Sequence, residues 1–168
     1  MLALSLILFG ILLRFIPHAP NFTPVAAIAL FGAVYLNRRY ALLLPLFLMM
    51  ISDIFIGFHD AIFFTWGSFM LVVFLGFRLK EHKNPMAIIS MSLLASVLFF
   101  LITNFGVWVI GWYPRTLEGL ISCYVMALPF FRNFTLSTLC YVAVLFSAYE
   151  LIAKRIERTK LAKALLNK

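Results

Sequence analysis

Residues 85–111 read PMAIISMSLLASVLFFLITNFGVWVIG, a run without one charged side chain. An α-helix rises about 1.5 Å per residue, so this run outreaches the roughly 30 Å hydrocarbon core of a bilayer. Asn84-Pro85 opens it as a helix start should, because a first-turn proline has no N–H to leave unpaired. A chain carrying such a segment has lipid for a solvent.

Working outward, prolines, glycines and charges mark five more apolar helical segments, at about 2–16, 24–36, 40–58, 61–79 and 133–155. Pro24 is expected in the first turn of the second, and Asp60 as the cap of the fourth. The chain is 64% hydrophobic and 12% charged, with a mean hydropathy of +1.05. A soluble domain is roughly 45–50% apolar and about 25% charged. The fold class that follows is an all-α integral membrane protein with six transmembrane helices over 1–155 and a basic cytoplasmic tail over 156–168. Met1 to Leu13 is as greasy as a secretory signal. It has no basic start and no small-x-small site, and Arg14 and Pro17 close it, so it reads as a retained first helix. The first two segments rise only about 20–22 Å each, and a tilted or partly re-entrant pair stays open.

Residues 116–131 decide parity. They are apolar but carry Glu118 and Pro129, and sixteen helical residues rise about 24 Å, too little to span. Counting six spans, the even loops and the C-terminus hold Arg38, Arg39, Arg78, Lys80, Lys83, Lys154, Arg155, Arg158, Lys160, Lys163 and Lys168. The odd loops hold Arg14, Arg115 and Arg132. Basic residues gather on the cytoplasmic side, so both termini are expected inside, with 116–131 as a short interfacial helix between helices five and six. In that setting the net charge of +8 reflects topology rather than nucleic-acid binding.

Some functions fall away. Neither GxxxxGK[ST] nor GxGxxG occurs, so no nucleotide loop is expected, and no cofactor is called for. Cys123 and Cys140 lack metal-site spacing and read as small buried apolar residues. His18 and His59 lack the i,i+4 partners of a helical metal site. No nucleophile–base arrangement stands out, and the chain is not expected to be an enzyme.

Chemistry concentrates in the odd loops. The first, Arg14 to Pro24, has three prolines in its last eight residues and holds its polar groups stiffly. The second is Gly57-Phe-His-Asp60, and the third runs from Thr103 past Tyr124 to Asn133. Asp53, about 7–8 Å below the outer end of the third segment, is costly in lipid and should face inward to a partner. An ion pair with Arg14, Arg115 or Arg132 and a ligand contact both stay open. Asn104, Trp108 and Trp112 recur at four-residue spacing, an amide below two indoles, which suits a flat, partly polar solute. The opposing reading makes Trp112 and Tyr113 belt residues and Asn104 a helix–helix bond. Arg14, His18, Asn21, Tyr124, Arg132 and Asn133 complete the candidate binding set. Ala29 and Ala33 form a small-xxx-small pair for helix packing or docking, and Glu150 and Lys154 an i,i+4 pair.

Taken together, RFIPHAPNFTPVAAIALFGA (14–33), Ser52-Asp53 with Gly57, Thr103-Asn104-Phe105 with Trp108, and Cys123-Tyr124 with Pro129-Phe130-Phe131 and Asn133 resemble the S components of energy-coupling-factor vitamin transporters. The nearest likeness is to an uncharacterised bacterial transporter family of that type, over about residues 14–146. The resemblance implies a multi-pass protein of the bacterial cytoplasmic membrane. Its outer loops would close over a vitamin-like solute, and it would dock on an energising transmembrane subunit with two cytosolic ATPases. The AxxxA docking pattern of helix one is not matched, since Ala3 is followed at that spacing by Ile7; Ala29 and Ala33 are the alternative surface. Two other classes stay open: a structural or assembly subunit without a small-molecule site, and a membrane enzyme acting on lipid.

Overall fold

The computed structural model describes residues 2–157. Among them the protein is wholly helical: α1 (Leu2–Phe15), α2 (Val25–Tyr35), α3 (Arg38–Ile56), α4 (Ile62–Leu79), α5 (Pro85–Val109), α6 (Leu117–Met126) and α7 (Leu128–Glu157). Four of these, α3, α4, α5 and α7, are long and apolar enough to cross a membrane. The tail expected over 156–168 lies, past residue 157, outside the described residues.

The shortest of the expected spans holds the centre. In α2 ten of eleven residues are buried, and it packs against α1, α3, α4, α5 and α7. A helix that is hydrophobic all round belongs inside. At about 16 Å of rise, α2 is too short to span the hydrocarbon core by itself. Its small residues let neighbours approach closely. A Cβ built on Gly76 of α4 would stand 2.4 Å from the Cβ of Ala33 and 3.1 Å from the carbonyl oxygen of Leu30. Ala29 and Ala33 are fully buried, so they pack helices and offer no surface for a docking partner.

Helix ends follow local chemistry, with some corrections. Asn84 caps α5, accepting from the Ala87 N–H at 2.8 Å. Gly57 ends α3 at φ +109°, a conformation glycine adopts without strain, and its N–H reaches the Asp53 carbonyl at 2.9 Å. Pro24 stands at the N-cap of α2 rather than inside it. Asp60 does not cap α4, whose N-cap is Ala61; its carboxylate accepts from the Trp112 indole at 3.2 Å. The last helix begins at Leu128, five residues before the expected start. Pro129 sits in its first turn, where the missing N–H costs nothing. Arg132 and Asn133 are therefore helical rather than in a loop.

The connections alternate between two ends. The α1–α2, α3–α4 and α5–α6–α7 connections meet at one end around a shared cavity. The α2–α3 and α4–α5 connections meet at the other, where Tyr35 stacks near Tyr149 (4.0 Å) and donates to Glu150 at 2.7 Å. Glu150 thus has Tyr35, not the expected Lys154, as its partner.

Candidate functional site

The three connections at the first end surround a cavity of about 450 Å³. Its wall along α5 is set by helical periodicity, with Phe99, Phe100, Thr103, Asn104 and Val107 following one another toward the α5–α6 connection. Opposite stand Thr65 and Phe69 of α4 and Phe130, Phe131 and Phe134 of α7. Phe99 and Phe134 stack at 4.1 Å with rings 12° apart, and Phe69 leans on Phe99 at 5.0 Å. Deep inside, the cavity is aromatic.

Toward the connections it becomes polar. Arg14, His18, Asn21, Thr23 and His59 line it there. His18 Nδ1 donates to the Ala19 carbonyl at 3.0 Å. Asn21 takes φ 61°, a left-handed conformation that asparagine tolerates better than most residues. This loop is fastened to α7: Asn133 Nδ2 donates to the Pro20 carbonyl at 3.1 Å and Ser137 Oγ to the Thr23 carbonyl at 3.2 Å. The Thr23 hydroxyl itself is buried without a hydrogen-bond partner.

Asp53 sits behind this wall, 1% exposed. Its Oδ1 accepts from Arg14 Nη2 at 2.8 Å and its Oδ2 from the Trp66 indole N–H at 3.0 Å. Arg14 Nη1 also reaches the Met49 sulfur. Both carboxylate oxygens are thus engaged inside the protein. Of the two roles the sequence leaves open, the geometry supplies the ion pair, and Arg14 is the partner. Among the described residues it is the only ion pair.

The expected set divides. Arg14, His18, Asn21 and Asn104 line the cavity, while Asp53, Trp108, Tyr124, Arg132 and Asn133 do not. The Trp108 indole donates to the Pro114 carbonyl at 3.0 Å, which turns it to the α5–α6 connection. Tyr124 donates to the Leu101 carbonyl at 2.7 Å and Cys123 to the Asn104 carbonyl at 3.4 Å, pinning α6 on α5. Burial pushes the thiol of Cys123 above its ordinary value, so it stays a neutral donor. Cys140, expected buried, is exposed on α7. Arg132 is exposed outside the cavity.

Sequence reasoning missed His59 as a lining residue, although it had singled out its loop, and it missed Thr65 and the phenylalanine floor. Nothing in a uniformly apolar helix says which phenylalanine turns inward. Only the packing of α4, α5 and α7 around α2 decides that.

No group of three or more histidine, cysteine or acidic side chains able to hold a metal occurs among the described residues. No curated protein and no solved structure matches the chain. Residues 1–161 match the family model described as a family of unknown function (DUF6580). The chain, whose Arg14–Asp53 pair backs a half-polar, half-aromatic cavity, belongs to that family.

Proposed function

We propose that the protein is a substrate-capturing membrane subunit for uptake of a small, vitamin-like solute, of the energy-coupling-factor S-component type. The observation that carries this reading is the cavity of about 450 Å³ at the end where the α1–α2, α3–α4 and α5–α6–α7 connections converge. Its size falls in the range of small-molecule sites, and such sites pair an apolar lining with a few placed polar groups. The lining contains no carboxylate, serine or cysteine, which favours binding over conversion.

In this reading α1 to α5 and α7 make a six-helix unit with α6 on the outer interface and both termini inside, in the bacterial cytoplasmic membrane. The charges support that orientation. Arg38, Arg39, Arg78, Lys80 and Lys83 gather at the end opposite the cavity. The cavity then opens outward, and an energising transmembrane subunit with cytosolic ATPases supplies the release step.

Gentle solubilisation of the full chain followed by mass spectrometry of co-purifying small molecules tests the proposal. One solute should recur in near-stoichiometric amount and leave when the cavity is filled by Val107→Trp. Repeated purification of an empty chain with a stoichiometric protein partner that carries no ATPase subunits would instead indicate an assembly subunit and overturn the capture reading.

A further inference from the structure

The polar chemistry of the cavity is one-sided. No aspartate or glutamate lines it. Asp53, which stands behind Arg14, is 1% exposed, and Arg14 and Trp66 occupy its oxygens. Arg14 does line the cavity. A guanidinium has five N–H donors, and the bonds to Asp53 and Met49 use only two of them. His18 and His59 add two imidazoles at the same end. A cation entering here exchanges its water for walls that offer no carboxylate, and a buried charge without a partner is costly. A carboxylate meets the free N–H groups of a guanidinium and the imidazole of His59, and charge-assisted bonds of that kind are the strong ones.

The deep half adds a second requirement. Along α5, Asn104 lies about one turn above Phe100 and the stacked Phe99–Phe134 pair. Its Nδ2 donates one N–H to the Phe100 carbonyl at 2.7 Å, which leaves Oδ1 as a free acceptor beside the second N–H. A solute whose ring reaches the phenylalanines therefore meets an acceptor beside the ring and donors at the mouth.

Resting on the capture reading, we infer that the solute is a flat heteroaromatic carboxylate. Its ring lies against the phenylalanine floor, a ring N–H meets Asn104 Oδ1, and the carboxylate meets Arg14 and His59. The site takes anions and rejects ammonium ions.

Four probes share one ring and differ in charge or in the N–H: indole-3-acetate, tryptamine, 3-methylindole and 1-methylindole-3-acetate. Binding to the detergent-solubilised full chain is read by calorimetry. Indole-3-acetate is expected to bind at least about tenfold more tightly than 3-methylindole, and the N-methylated acid more weakly than its parent. Tryptamine should be the weakest. In Arg14→Gln paired with Asp53→Asn, which removes both charges together, the advantage of the acid over 3-methylindole should disappear. Tryptamine binding as tightly as the acid, equal binding of all four, or binding of none would each overturn the carboxylate class. An advantage that survives in the paired variant overturns the assignment to Arg14. A co-purifying solute that is neither aromatic nor acidic overturns the class while leaving capture itself standing.

Discussion

The guanidinium of Arg14 and the carboxylate of Asp53 meet at 2.8 Å, tying the last turn of α1 to the last turn of α3. Arg14 lines the cavity and Asp53 is buried behind it, so one bond joins the cavity wall to the packed interior. Removing either partner leaves the other charge unpaired. Asp53→Asn should lower stability by about 3 kcal/mol, and Arg14→Gln by a similar amount. The double variant should recover much of the loss, read as melting temperature in detergent. Additive losses would show that the two charges do not depend on each other.

Trp66 supplies the second partner of Asp53 and does not line the cavity. Trp66→Phe keeps an aromatic side chain, though a smaller one, and deletes the N–H, leaving Asp53 Oδ2 unsatisfied. The expected cost is about 1–3 kcal/mol of stability, with solute affinity little changed. A large affinity change at unchanged stability would contradict this placement.

Two glycines of α4 make a matched test of packing. Gly76→Ala would press its methyl into Ala33 and Leu30 and should destabilise by about 1–3 kcal/mol. A Cβ at Gly67 meets nothing within 4 Å, so Gly67→Ala should be neutral or stabilise by up to about 1 kcal/mol through helix propensity. Thermal melting of the two variants side by side checks both.

Asn104 and Trp108 separate by role despite their four-residue spacing. Asn104→Leu should weaken solute binding by at least about tenfold, or 1.4 kcal/mol, by removing an acceptor from the cavity. Trp108→Phe should loosen the Pro114 connection and leave affinity nearly intact. Calorimetry with the co-purified solute distinguishes them, and a Trp108 effect equal to that of Asn104 would move the site toward α6.

Orientation is checked by labelling intact cells with an impermeant thiol reagent, after Cys123 and Cys140 are replaced. A cysteine near Asp60 or Arg115 should react, and one near Arg38 or Lys83 should be shielded. Labelling at Lys83 from outside would invert the topology.

Helices and their connections were legible because prolines, glycines and charges punctuate an otherwise apolar chain. The start of α7 was not, since a proline that breaks a helix interior is welcome in a first turn, and Pro129 stands in one. The stiff first loop and Asn104 announced themselves by being polar in apolar surroundings. Successive positions four apart still turn by about 40° around a helix. That offset, with the Pro114 carbonyl to bond to, carries Trp108 off the cavity face that Asn104 occupies. Phe99 and Phe134 carry no polar signal, so their meeting in the floor had to come from packing.

The burial of α2 on every side also bears on how the chain is assembled. A ribosome delivers α2 before α4, α5 and α7 exist, yet these are among the helices that enclose it. Too short to hold a stable place across the bilayer alone, the new helix has to wait, parked beside α1 or near the interface, until its later neighbours arrive. Made before α4, α5 and α7, α2 is thus among the last of these helices to reach its final position, and the cavity, whose wall includes Val25 at the first turn of α2, closes only after α7 has been made.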